Sequence, residues 1–285
     1  MTGTTIAVIG ATGRTGRPLV RELVRRGARI RCLSRGPEQP GLFPREVEWR
    51  LGDLRNVETL AAAFRGAESI HYIPPSLDER DPDYTASIID AAEKAGVARV
   101  VYHSVLHSNT PEMPHHIRKA GCERLFRHSA LAWTVLQPAM YVQTVLSFLS
   151  EDRTALRPPF NPDRPFNVIA PVDLVGAIAR VLRDPATAYG TFEIAGSERL
   201  SIREMAAELG TALGRPIRVE VADMKKQVAT RAARRGWSVP QQGEYRAMLS
   251  YYDRFGLPGN GLTLEMLLGR PPTTFAAAAR ALLGI

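Results

Sequence analysis

Short apolar runs alternating with helix-length amphipathic stretches constrain this chain more than any other feature. Strands are predicted at Thr5 to Ile9, Arg29 to Ser34, Val47 to Leu51, Ser69 to Ile73, Arg99 to Ser104 and Thr134 to Gln137, and the segments between them are long enough for crossover helices. A strand–helix–strand series of this kind predicts an α/β fold with a doubly wound parallel sheet. Helix punctuation agrees with it: Gly27 closes the first helix, Asn56 caps the second with Glu58 in its first turn, and Gly96 follows the third.

After Pro138 the rhythm changes. Pro158, Pro159, Pro162 and Pro165 stiffen an extended passage, and Asp173 is expected to open a helical stretch from Leu174 to Leu182. A short strand, Thr191 to Ile194, leads into Ser201-Ile202-Arg203-Glu204, the signature of a capping box, and Arg218 to Val221 reads as one more strand. The expected organisation is a dinucleotide-binding domain over residues 1–150 and a smaller α/β lobe over residues 151–285, with some elements of the second half rejoining the large sheet.

With 285 residues, 45% of them hydrophobic, the chain can bury a sizeable core. The first residues lack the basic flank and long apolar segment of a signal peptide, and the most apolar stretch, Leu131 to Leu149, is broken by Gln137, Pro138, Gln143 and Ser147. No membrane partner is expected. Two cysteines, Cys32 and Cys122, are too few for a disulfide framework and fit a reducing cytoplasm, which is the expected location. The net charge of +8 comes from a chain with 33 arginines and four lysines, a skew that reads as coding bias and general solvation. Lys225, Lys226, Arg231, Arg234 and Arg235 form a basic helix without an aromatic platform, so nucleic acid is not an expected partner.

The stretch IAVIGATGRTGRPLVREL places Gly10, Gly13 and Gly16 between the first strand and its helix. Such a turn lets the backbone approach a pyrophosphate, while free amides at the helix start supply donors. Gly10 makes the tight turn, Gly13 admits the phosphates, and Gly16 lets helix and strand pack closely; Thr12, Arg14 and Thr15 complete the cofactor-binding loop. At the end of the second strand, where an acid would hold an NAD ribose, Ser34 and Arg35 stand instead. A guanidinium pairs with a 2′-phosphate, so NADPH is the expected cofactor, and Arg14 can reach the same phosphate. Asp53, after the third strand, either contacts the adenine or organises a turn.

Several segments together resemble a known family: GATGRTG, GDL after the third strand, Lys119-Ala-Gly-Cys-Glu123 on a helix, WTVLQPAMYVQ from Trp133 to Gln143, and LLGRPPTTFAAAARALL near the end. They are similar to the NmrA-like branch of the atypical short-chain dehydrogenases/reductases, almost end to end, and the closing segment is similar to its NADPH-dependent quinone reductases. The resemblance implies a Rossmann domain with a small C-terminal substrate lobe and the nicotinamide in the cleft between them. The same branch also contains cofactor-binding regulators.

Typical short-chain dehydrogenases use Tyr-x-x-x-Lys, and the corresponding stretch here is His115-His116-Ile117-Arg118-Lys119. The tyrosine is absent. Lys119 is a candidate for ribose binding or proton transfer, with a solvated helix lysine as the other reading. His115 and His107 are candidate substitutes for the missing acid, or surface histidines. Ser104, Ile73, Pro74 and Pro138 lie at strand ends where the cofactor is expected, and Tyr141 and Gln143, with His107, are expected to face the substrate. Tyr141 either stacks on a flat acceptor or covers core. His103, His107, His115 and His116 lack a matching carboxylate or cysteine pattern, so no metal is expected.

Hydride addition to a quinone gives a delocalised anion that water protonates later, so quinone reduction tolerates the missing tyrosine. The expected activity is NADPH-dependent hydride transfer to a quinone or other conjugated carbonyl, and the alternative is a non-catalytic sensor of NADP(H). The expected partner is a small-molecule substrate, and the chain is read as a monomer or a homodimer.

Overall fold

A computed structural model describes residues 3–285. The strands among the described residues are β1 (Thr5–Ile9), β2 (Arg29–Ser34), β3 (Glu48–Leu51), β4 (Ser69–Tyr72), β5 (Arg99–His103), β6 (Ala132–Pro138), β7 (Ala155–Leu156), β8 (Gly190–Ile194) and β9 (Arg218–Val219). Its helices among the described residues are α1 (Gly16–Arg25), α2 (Val57–Phe64), α3 (Asp81–Lys94), α4 (Pro114–Arg127), α5 (Val142–Leu146), α6 (Pro171–Arg183), α7 (Ile202–Leu213), α8 (Met224–Arg235), α9 (Val239–Phe255), α10 (Leu262–Leu268) and α11 (Phe275–Leu283).

Seven strands form one sheet in the order β3-β2-β1-β4-β5-β6-β8, with the pairs from β3 through β6 all parallel. The chain runs outward from β1 to β2 and β3, then returns to place β4 on the other side of β1. That reversal puts the topological switch point at the carboxyl ends of β1 and β4, the position where open parallel sheets take their ligands. Every residue of β1 and β4 is buried, as a strand covered on both faces must be. On one face, Ala7, Ile9, Ile70, Tyr72, Val100, Tyr102 and Val135 pack with Leu60, Phe64, Ile88 and Phe126 from α2, α3 and α4.

By internal contacts the chain divides into two compact units. The first comprises Met1–Val105, Arg118–Gln137 and Val175–Phe192; the second comprises Leu106–Ile117, Pro138–Leu174 and Glu193–Ile285. β8 lies beyond residue 150 and adds the last strand to the large sheet. The second unit holds the two-residue parallel pair β7–β9 and an aromatic cluster in which Phe160 meets Phe148, Phe166 and Tyr252 at ring-centroid separations of 5.2–5.9 Å. No helix among the described residues is long and apolar enough to cross a membrane.

Asp173 corrects one expectation. Helix α6 begins at Pro171, so Asp173 lies inside the first turn and does not cap it. Its carboxylate is fully buried and receives Arg270 at 2.6 Å, the Thr273 amide at 2.6 Å and the Thr273 hydroxyl at 3.0 Å. The buried charge therefore finds its donors in the Arg270-Pro-Pro-Thr273 segment, and the closing motif is read physically as a clasp on α6. Removing this acceptor breaks hydrogen bonds to a charged group whose donors are only partly buried, a loss of about 1.5–3 kcal/mol. Asp173→Ala should destabilise the chain by about that amount in denaturant titration. Arg180→Ala, which breaks the exposed pair with Asp184, should cost less than about 1 kcal/mol.

Candidate active site

The turn after β1 is built by backbone proximity. Gly10 has φ +80°, and a Cβ there would stand 2.8 Å from the Ile73 carbonyl oxygen. A Cβ at Gly16 would stand 2.2 Å from the Gly10 oxygen and 2.6 Å from the Ala11 backbone, so only glycine permits α1 to start this close to β1. Gly13 is exposed, and its amide closes the turn onto Gly10 at 3.0 Å. Among the described residues, the amides of Thr12, Arg14 and Thr15 have no backbone acceptor, no side chain caps α1, and its first turn holds no acid. Free amides and the positive end of a helix make an anion site, and these residues fit a dinucleotide pyrophosphate.

Ser34 ends β2, and its hydroxyl accepts the Gly36 amide at 3.2 Å. Arg35 is exposed beside it. The Gly52 amide bonds to the Ser34 carbonyl at 3.0 Å, which brings the turn after β3 alongside. There Asp53 takes the Arg55 guanidinium on both oxygens, at 3.0 and 2.5 Å, and the Arg55 amide at 3.0 Å. Chiefly through Arg55, with a contribution from Arg35, its carboxyl is held well below the usual range. Asp53 thus organises its own turn, while Asn56 caps α2. Ile73 and Pro74 are half-buried at the end of β4, with the Ile73 amide on the Ile9 carbonyl at 3.2 Å.

At the carboxyl ends of β5 and β6 a buried carboxylate gathers three donors. Glu123, 2% exposed, accepts the Ser104 hydroxyl at 2.5 Å, the Gln137 amide at 2.8 Å and Arg127 at 3.0 Å. Ser104 is therefore committed as a donor inside the protein, and its oxygen lone pairs remain as acceptors.

Lys119 is not a solvated helix lysine. It is 3% exposed, and its Nζ donates to Asp81 Oδ2 at 2.5 Å. Asp81, the first residue of α3, is fully buried. Burial lowers the lysine and raises the aspartate, and their attraction opposes both shifts. On β4 and β5, His71 and His103 lie buried with ring centroids 5.9 Å apart. Burial keeps both neutral, pushing His103 down to about 3, with the Lys119 charge adding to the effect.

The remaining expected residues belong to the second unit. His107 adopts the left-handed conformation, φ +53°, with Nε2 3.9 Å from Glu193 Oε1. Its carbonyl accepts the Thr110 hydroxyl at 2.9 Å and His116 Nδ1 at 3.3 Å. His115 is buried, 7% exposed, with its ring edge-on to His116; it is not a surface histidine. Pro138 is the buried last residue of β6, and its carbonyl accepts the Leu106 amide at 3.0 Å. Tyr141 precedes α5 and bridges to Ile169, and Gln143 lies in the first turn of that helix.

Sequence reasoning did not assign roles to Asp81, Glu123, Gln137 or His103. Glu123 had one available signal, the four-residue spacing from Lys119 that sets both on one side of α4. Asp81 reads as an ordinary acid at a helix start, and its partner lies 38 positions away.

A model of the NmrA-like family matches residues 2–260. The chain is 26% identical over 283 residues to an NAD(P)H azoreductase of Xenophilus azovorans, covering 97% of each. Its fold is similar to that of an NADPH-dependent quinone oxidoreductase of Escherichia coli solved with NADPH (TM-score 0.81, 23% identity, 98% of this chain and 99% of that one). It is also similar to NmrA, a negative transcriptional regulator solved with NADP (TM-score 0.77, 20% identity, 98% and 95%).

The buried imidazoles give the fold an acid sensitivity of known sign. His103 takes up its proton only when released from burial, so its contribution to stability is complete above pH 6.5 and is lost as pH falls toward 3. His103→Asn should flatten the pH dependence of unfolding in that window by up to about 1.4 kcal/mol per pH unit. Denaturant titrations at several pH values measure the slope.

Proposed function

The chain belongs to the NmrA-like family, and we propose that it is an NADPH-dependent oxidoreductase acting on a quinone or another conjugated, electron-poor carbonyl compound. The observation that carries the reading is the Gly10–Gly16 turn at the carboxyl end of β1, where Gly10 lies close against the Ile73 backbone after β4 and the amides of Thr12, Arg14 and Thr15 are left without backbone acceptors. The similarity to an azoreductase and to a quinone oxidoreductase supports the reaction class. When bound, the reduced dinucleotide supplies a hydride to the acceptor.

The protein's part is binding and electrostatics. The amides of Thr12, Arg14 and Thr15 hold the pyrophosphate, and Arg35, with Arg14, holds the 2′-phosphate. Asp53, neutralised by Arg55, does not repel that phosphate as a bare carboxylate does. Lys119 offers its remaining N–H donors to a ribose hydroxyl or to the anion formed on the acceptor. No tyrosine stands four residues before Lys119, so an acceptor must itself hold the negative charge until solvent protonates it. Tyr141, Gln143 and His107 are the proposed substrate contacts, and the buried His115 is the proposed substitute for the missing acid.

A second reading, a sensor of NADPH against NADP+, is favoured by the similarity to NmrA and by the missing tyrosine. A sensor must bind the two redox forms unequally, because equal binding shifts no equilibrium.

NADPH should bind at least about tenfold more tightly than NADH, as one charge-assisted contact is worth roughly 1.5–3 kcal/mol. Arg35→Asp should reverse the order; equal affinities in the unmutated chain overturn the assignment. Steady-state NADPH oxidation should be rapid with a quinone and slow with a saturated ketone, measured side by side. Replacing His107 and His115 together should cost quinone turnover less than the roughly 10²–10⁴-fold lost with a true general acid. No turnover on quinones, enones or aldehydes, together with unequal NADPH and NADP+ affinities, selects the sensor.

A further inference from the structure

Thirty-three arginines against four lysines make each lysine informative. Lys94, Lys225 and Lys226 are exposed, and Lys119 alone of the four is buried. An arginine keeps its charge in any protein environment, whereas a buried lysine keeps it only with a counter-ion. Asp81 supplies that counter-ion from a different helix, with Oδ2 on Nζ and Oδ1 buried without a partner. Both α3 and α4 follow strands of the parallel sheet, so the pair sits toward the carboxyl edge, the edge at which open parallel sheets take their ligands.

The other groups around the pair do not replace Asp81. Tyr72 on β4, Tyr102 on β5 and Cys122 on α4 are pushed up by burial and stay neutral, and His103 on β5 stays neutral because burial pushes it down. Asp78, before α3, is engaged by Arg80 and by the Tyr84 hydroxyl. Arg118 adds a second cation beside the lysine. Without Asp81, Lys119 is a buried cation next to another cation.

We propose that Asp81 is a positioning residue for Lys119: it fixes Nζ at the carboxyl edge of the sheet and keeps the ammonium charged, leaving two N–H donors for an oxygen of the cofactor or of the reduced acceptor. The role deepens the oxidoreductase reading and rests on it for the identity of the ligand. The charge on Lys119 is measurable without any ligand.

Four lysines make the Nζ charge readable by NMR of 13Cε-labelled lysine in the full chain. Asp81→Asn, which preserves shape and removes charge, should lower the Lys119 titration midpoint by at least one pH unit, tenfold in proton affinity, and leave the three exposed lysines unmoved. An unchanged Lys119 midpoint in the folded variant overturns the proposal. Should Asp81→Asn fail to fold, Asp81→Asn combined with Lys119→Met removes the unpaired cation. Recovery of folding supports the proposal, and continued failure overturns it. In quinone turnover, the alkaline limb of the pH profile should shift down with the midpoint; a limb that stays in place while the midpoint moves overturns the part of the role that concerns turnover. Absence of turnover with any acceptor counts against the oxidoreductase reading and leaves the NMR result standing.

Discussion

Contact between backbone atoms at Gly10, Ala11 and Gly16 is the constraint on which the proposed cofactor site depends. Because no side chain intervenes, α1 starts close against the end of β1. Because β4 lies beside β1, the same backbone touches Ile73. A methyl group at Gly16 has only main chain to push against, so it must displace the helix, the turn or the strand, and each of these carries part of the site.

Two buried carboxylates extend the same logic to the other strand ends. Glu123 ties Ser104 after β5 and Gln137 on β6 to α4, and Asp81 ties α3 to α4 through Lys119. Each acid is out of water, so each must be matched by donors. The matching holds Ser104 and Lys119 in fixed positions. Of the two, Ser104 has spent its only O–H on Glu123, and Lys119 alone keeps N–H donors that, on the proposed reading, are preorganised for a developing anion.

The large sheet was readable because its strands are apolar runs with sharp ends: the bounds expected for β1 and β2 coincide with those observed, and β3 to β6 differ by a residue or two. The capping box at Ser201 and Glu204 and the Asn56 cap were equally legible, since each rests on residues a few positions apart. β9 is shorter than expected because its neighbour runs into Pro158 and Pro159, which have no N–H to give the ladder, although Glu220 and Ala222 still donate to Leu156 and Pro158. What the sequence concealed was long-range polar matching. Asp81 with Lys119, and Asp173 with Arg270, are residues of ordinary appearance whose partners stand 38 and 97 positions away. Glycines announce themselves through their own local geometry; a buried acid is explained only by the donor that the fold brings to it.

The clasp at Asp173 bears on the order in which the polypeptide can acquire its structure. The first unit draws on nothing beyond Phe192, so a nascent chain carries all of its segments well before Thr273 is added. The second unit is assembled from three separated stretches, and its buried aspartate waits for an amide and a hydroxyl 100 residues downstream. Until Thr273 has left the ribosome that carboxylate has no place to be buried, and the first turn of α6 must remain hydrated. A chain cut short of residue 273 therefore carries every strand of the large sheet and a second unit whose buried aspartate lacks its donors.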